Sequence, residues 1–173
     1  MKKDHPGCKV VFVGPCAAKK LEAIREDIRS DVDFVLTYEE LQGMFEAKEI
    51  DFEKIEGTAA LNEGTAAGIG IADSGGVAGA VPNLIHQTNP ELEVKTARAE
   101  GLRECRKLMT LAKAGKYNGC LLEGMACPGG CVAGAGTLLP VELAANVVGR
   151  YQKEADTESP LESPYRVRVE TLD

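Results

Sequence analysis

Tryptophan is missing from this 173-residue chain, and aromatic residues supply only 5% of it. That scarcity argues against a platform for single-stranded nucleic acid, which needs several exposed aromatic faces for base stacking. Only two histidines are present, His5 and His86, too few and too scattered for a histidine-rich zinc enzyme. Basic residues are the minority, 20 against 27 acidic ones, giving a net charge of −7. Nucleic acid and anionic membranes are bound by clustered cations, so neither is an expected partner. Long apolar runs are lacking as well: Val10–Val13 and Val77–Val81 fall far short of the roughly 20 residues that cross a bilayer. Met1-Lys2-Lys3 runs into Asp4-His5-Pro6 with no apolar core behind it, so no export signal is read and a cytoplasmic location is expected.

What remains is globular in composition, 44% apolar and 27% charged, with enough chain for one domain that builds its own core. Six cysteines stand out, at positions 8, 16, 105, 120, 127 and 131. Without an export signal, reduced thiols, metal ligation or redox chemistry fit them better than disulfide staples.

Short strand-like runs, β-branched in Lys9–Val13 and apolar in Gly119–Glu123, alternate with helical patterns. Lys9–Val13, Asp33–Leu36, Glu93–Ala97 and Gly119–Glu123 read as strands. Helices are expected over Ala17–Ile28, after Thr37 (with Glu40 completing a capping box), from Gly75 to before Pro90, around Leu102–Ala112, and over Val141–Glu154. Asp51–Gly79, rich in glycine and alanine, reads as loop with short elements. The expected fold is α/β, a mostly parallel sheet flanked by helices. One domain is expected over residues 1–155, followed by an acidic, proline-containing tail over 156–173.

The densest chemical signal is Glu123-Gly-Met-Ala-Cys-Pro-Gly-Gly-Cys131. Pro128 ends sheet pairing, while Gly129 and Gly130 let the chain wrap closely, so one loop presents two sulfurs, Cys127 and Cys131. Thiolates in that arrangement suit zinc, copper(I) or an iron–sulfur cluster. A second signal is Gly14-Pro-Cys-Ala-Ala-Lys-Lys-Leu-Glu22, where Cys16 sits at a strand-to-helix junction and Lys19 shares its face. Lys19 reads either as an anion contact or as a simple partner of Glu22. Both segments close strands of one expected sheet, so Cys16, Cys127 and Cys131 are expected to converge, one thiolate short of a closed cubane or structural zinc site. Cys105 and Cys120 read as small core residues and Cys8 as exposed. Gly68-Ile-Gly70 and Gly134-Ala-Gly136 complete no dinucleotide fingerprint. Ser74-Gly75-Gly76 reads as an anion cradle at a helix start or, better, as close helix packing.

The two cysteine-bearing segments resemble two of the three signature segments of iron-only ([FeFe]) hydrogenases. Phe34-Val-Leu-Thr-Tyr-Glu-Glu-Leu41 and Ser74-Gly-Gly-Val77 are similar to the segments between them, in the same order. The resemblance implies the C-terminal half of a catalytic domain whose two α/β halves enclose the cluster. By motif, Cys16, Cys127 and Cys131 would ligate the [4Fe-4S] part of the H-cluster, and Cys131 would bridge to its two-iron unit. Lys19 would donate to a cyanide of that unit, and Met125 would pack against it. The family's first signature, with its paired cysteines, is not in this chain, and Gly14 stands where the family carries methionine. The resemblance therefore implies a parent that interconverts protons and hydrogen with a ferredoxin-type electron carrier, and no turnover by this chain alone. The missing N-terminal half would be its partner, and the face left bare predicts self-association. The alternatives are a hydrogen-sensing or other non-catalytic iron–sulfur protein of the same family, including cluster assembly, and a structural zinc domain.

Overall fold

β1 (Val11–Val13) and β2 (Phe34–Leu36) pair in parallel with Val11 opposite Phe34 and Val13 opposite Leu36 in a computed structural model that describes residues 2–57 and 64–166. Between them α1 covers only Ala18–Ala23. The expected helix over Ala17–Ile28 is thus cut to six residues. Leu21 and Ile24, which gave the pattern its period, are about 70% exposed and meet no apolar surface that would hold further turns. α2 (Tyr38–Ala47) starts as its sequence requires: the Thr37 hydroxyl accepts from Glu40 N–H, and the Glu40 carboxylate accepts from Thr37 N–H. Phe45 then meets Phe52 edge-on, ring centroids 5.2 Å apart.

Asp33 ties the start of this sheet together. Its carboxylate accepts from Val10 N–H at 2.8 Å and pairs with Lys2 at 2.9 Å and Lys9 at 3.3 Å. The Val10 N–H first, and then the two lysines, hold its carboxyl far below the usual range. A carboxyl depressed in the folded state contributes stability that is complete above its unfolded pKa, about 3.9, and is lost as pH falls through the folded value. Asp33→Asn should therefore flatten the acid limb of a stability–pH profile below about pH 4. An acid limb identical to that of the unsubstituted chain, followed by thermal melts, would remove this assignment.

The chain divides into two compact units, Met1–Thr58 with Ala133–Pro140, and Ala59–Val132 with Val141–Asp173. In the first, the late segment 133–140 closes against the early one. Gly136 N–H donates to Pro15 O at 2.9 Å, and Tyr38 N–H donates to Gly136 O at 3.1 Å. A Cβ on Gly134 would lie 2.2 Å from Pro15 O, so that glycine is where two backbones touch.

The second unit is built on β3 (Lys95–Glu100) and β4 (Cys120–Met125), parallel, with Lys95 opposite Cys120 and Glu100 opposite Met125. α5 (Leu102–Lys113) makes the crossover, since parallel neighbours need a long connection. α3 (Ala66–Gly70), α4 (Gly76–Thr88) and α6 (Val141–Lys153) complete it. The fold is α/β with small parallel sheets flanked by helices. Among the described residues the strands form two separate two-stranded sheets, not the single sheet expected. An apolar run marks a strand but fixes neither its burial, since Val11, Phe12 and Val13 are all exposed, nor which partner it takes. Part of the acidic segment after residue 155 is docked and not free in solvent: Ala66 N–H donates to Thr157 O, Ala67 N–H to Glu158 O, and buried Ser159 donates to Gln87. No helix among the described residues is long and apolar enough to cross a membrane.

Candidate functional site

The loop after β4 carries two of the expected site residues at its ends, Cys127 half-buried and Cys131 exposed. Gly129 and Gly130 both adopt left-handed backbone, φ 95° and 87°. This is the conformation that side-chain-bearing residues resist and that folds the loop back on itself. Within the loop Gly130 N–H donates to Cys127 O at 3.0 Å. From outside, the turn 72–74 holds it. Ser74 N–H donates to Gly129 O, and Ala72 O accepts from both Cys131 N–H and Val132 N–H. Gly130 sits so near this turn that a Cβ would meet Ser74 N at 2.6 Å and Ala72 O at 2.9 Å.

Two carboxylates complete the frame, and neither was singled out as a site residue on the sequence. Glu123, only 5% exposed, accepts from Gly75 N–H and Ala78 N–H, each at 2.6 Å. Gly75 is the N-cap of α4 and has no side chain to satisfy the first turn, so a carboxylate from β4 does it. The anion at the Ser74-Gly75-Gly76 helix start is thus the chain's own Glu123. Close packing holds there too, since a Cβ on Gly76 would stand 2.1 Å from Gly70 O. The signal was in the sequence: a glutamate embedded in Cys120-Leu-Leu-Glu123 needs a buried partner. Glu100, at the end of β3, accepts from Ser74 Oγ at 2.6 Å and Gly129 N–H at 2.9 Å. The Ser74 hydroxyl, then Gly129 N–H, with Arg98 nearby, hold its carboxyl below the usual range.

Asp73 pairs across an isolated bridge with Gly130. Its Oδ1 is buried without a hydrogen-bond partner among the described residues, and burial pushes its carboxyl above the usual range. It lines an open cavity of about 380 Å³ with Gly76, Asn83, Arg98 and Gln152. Met125 ends β4 opposite Glu100, and its carbonyl accepts from Cys105 Sγ at 3.4 Å. Cys105 is thus half-buried and tied to the strand ends, in keeping with a packing role; Cys120 and Cys8 are also half-buried, the latter less exposed than expected.

Cys16 and Lys19 belong to the other unit, where Lys19 N–H donates to Cys16 O just after β1. The Lys19 ammonium pairs with Glu22, both side chains part-exposed, beside a small apolar cavity lined by Phe12, Ile28 and Val35. The ion-pair alternative for Lys19 is therefore present. The expected convergence of Cys16 with Cys127 and Cys131 rested on a shared sheet, and that sheet is two sheets. Among the described residues, neither unit gathers three or more Cys, His, Asp or Glu side chains in a metal-holding group. The loop thus fits a thiolate-ligated group in kind of donor and falls short in number, with two sulfurs in one unit.

Residues 1–135 match the family described as iron-only hydrogenase large subunit, C-terminal domain. The chain belongs to this family. The periplasmic [Fe] hydrogenase large subunit of Nitratidesulfovibrio vulgaris is 29% identical over 169 residues, covering 79% of this chain and 40% of that protein. The probable cytosolic Fe-S cluster assembly factor of Culex quinquefasciatus is 28% identical over 196 residues, covering 90% of this chain and 39% of that one. A solved structure of the [FeFe]-hydrogenase HydA(deltaEFG), described as revealing stepwise H-cluster assembly, superposes with a TM-score of 0.63 at 21% identity. That superposition covers 94% of this chain and 58% of the other, and establishes the hydrogenase fold for it. The chain spans about 40% of the length of both curated relatives.

Proposed function

We propose that this chain is the cluster-ligating C-terminal half of an iron-only hydrogenase catalytic domain. The observation that carries the proposal is the Cys127–Cys131 loop, two thiols flanking a left-handed glycine pair that the 72–74 turn holds from behind. Cys16, Cys127 and Cys131 would hold the [4Fe-4S] part of an H-cluster, and Cys131 would also hold its two-iron unit. Such a group, when bound, supplies the redox chemistry that interconverts protons and hydrogen. The chain's own part is to supply thiolates and to shape the surroundings. Met125 presents its thioether side chain at the end of β4, and Lys19 offers an ammonium that would exchange Glu22 for an anionic ligand.

The N-terminal half of the domain would supply the fourth thiolate and the proton-relaying groups. Val11 and Phe34, opposite each other in the β1–β2 register, Phe12 on the other face, and Leu21 and Ile24 are exposed apolar side chains for that half to cover. A ferredoxin-type carrier would deliver electrons in the cytoplasm. The chain alone would not turn over hydrogen, and in its isolated form it would self-associate through the bare surface. A non-catalytic iron–sulfur role is the second reading, favoured by the similarity to an Fe-S cluster assembly factor at comparable identity; hydrogen sensing belongs to the same class.

Anaerobic reconstitution of the full chain with iron and sulfide, followed by metal counting and EPR, tests the proposal. The unsubstituted chain is expected to retain iron and sulfide, and Cys127→Ser to lose them. Equal iron retention by both would overturn the thiolate assignment. Hydrogen evolution by the reconstituted chain above a metal-free control would overturn the statement that it needs its other half.

A further inference from the structure

We infer that Glu100 and Ser74 are positioning residues that clasp the thiol-bearing loop and set how tightly Cys127 and Cys131 hold a metal. This rests on the thiolate reading of that loop. Three residues form a closed ring. Ser74 N–H donates to Gly129 O, Ser74 Oγ donates to one oxygen of Glu100, and the other oxygen of Glu100 accepts from Gly129 N–H. Both polar groups of the Gly129 backbone are therefore held, one by the 72–74 turn and one by the end of β3. The residue opposite Glu100 in the ladder is Met125, two positions before Cys127, so the clasp reaches over the loop from the neighbouring strand.

The loop needs this from outside. Its one internal backbone bond is Gly130 N–H to Cys127 O, and glycines have the widest backbone freedom to lose. Two thiols on a slack loop bind a metal only after the loop is ordered, whereas a loop already fixed presents them without that loss. Partners behind the ligands commonly change metal affinity by about 10–100-fold when removed. A carboxylate suits the task because its two oxygens accept from two separate donors at once, which alanine at that position would not do.

Cobalt(II) titration of the full chain, read by thiolate charge-transfer and ligand-field bands, tests the inference. Glu100→Ala and Ser74→Ala are each expected to weaken cobalt(II) binding on the order of tenfold and to speed alkylation of Cys127 and Cys131. Glu100→Gln keeps one carbonyl acceptor and should recover part of the loss. Glu104→Ala, at an exposed residue paired with Lys107 on α5, should bind as the unsubstituted chain does. Cys127→Ser separates the two readings. If the unsubstituted chain binds no cobalt(II), or Cys127→Ser leaves binding unchanged, the thiolate site itself is wrong and the clasp's role falls with it; if Cys127→Ser abolishes binding while Glu100→Ala and Ser74→Ala bind normally, only the clasp is wrong. Should Glu100→Ala fail to fold by circular dichroism, Ser74→Ala, which removes one hydroxyl, decides the matter.

Discussion

Replacing Gly130 with alanine is expected to destabilise the second unit by about 3 kcal/mol and to abolish metal retention by the Cys127–Cys131 loop. Two independent penalties act at this position. At φ 87° an L-residue is strained, which costs roughly 1 kcal/mol or more outside glycine. The new methyl would also stand 2.6 Å from Ser74 N, 2.8 Å from Asp73 C and 2.9 Å from Ala72 O. All three are backbone atoms, so no rotamer change relieves the contact, and the loop must lift from the turn. Lifting it breaks the donations of Cys131 and Val132 to Ala72 O as well as the Ser74–Gly129 bond. Thermal melts should fall by roughly 6–12 °C at this chain length. A melt within a degree of the parent, with metal retained, would show that the turn does not confine the loop.

Glu123→Ala is expected to have an effect of similar size by a different route. The substitution strands the N–H groups of Gly75 and Ala78, each now 2.6 Å from a buried carboxylate oxygen. It also removes a negative charge from the start of α4. Each stranded donor costs about 1–3 kcal/mol, so a loss on the order of 3 kcal/mol or more follows. Glu123→Gln should lie between, because its carbonyl accepts from one donor while its amide faces the other. Urea denaturation orders the three chains. A Gln midpoint equal to that of the unsubstituted chain, with Ala lower, would mean that the charge and the second hydrogen bond contribute little and that volume alone matters.

Some elements were readable in the sequence because local chemistry decides them. Thr37 and Glu40 dictate where α2 begins, and the apolar period through Leu102, Cys105, Leu108 and Ala112 fits α5 as found. The short apolar runs marked β1 and β2, and Val141 marked the start of α6. What failed was non-local. Leu21, Ile24 and Ile28 have helical spacing, yet a helix persists only where its apolar face is covered, and α1 stops at Ala23. Sheet membership is decided by pairing across long separations, which no single strand announces. The loop of Cys127 and Cys131 was conspicuous from its thiols and glycines. Its frame was legible only in part: Glu123 stands out in its apolar run and Ser74-Gly75-Gly76 marks a helix start, but Glu100 and its bond to the Gly129 backbone leave no spacing pattern in the sequence.

The segment Gly134–Gly136 completes the first unit by docking on Pro15 and Thr37, residues that lie far earlier in the chain. On a ribosome, β1 and β2 can pair early, since they are close neighbours along the chain. The seat around Pro15 stays open until residues 133–140 have been made. Closing so long a loop is slow as well as entropically unfavourable. The junction that carries Cys16 therefore takes its final form only after the βαβ unit before Cys127 has been synthesised.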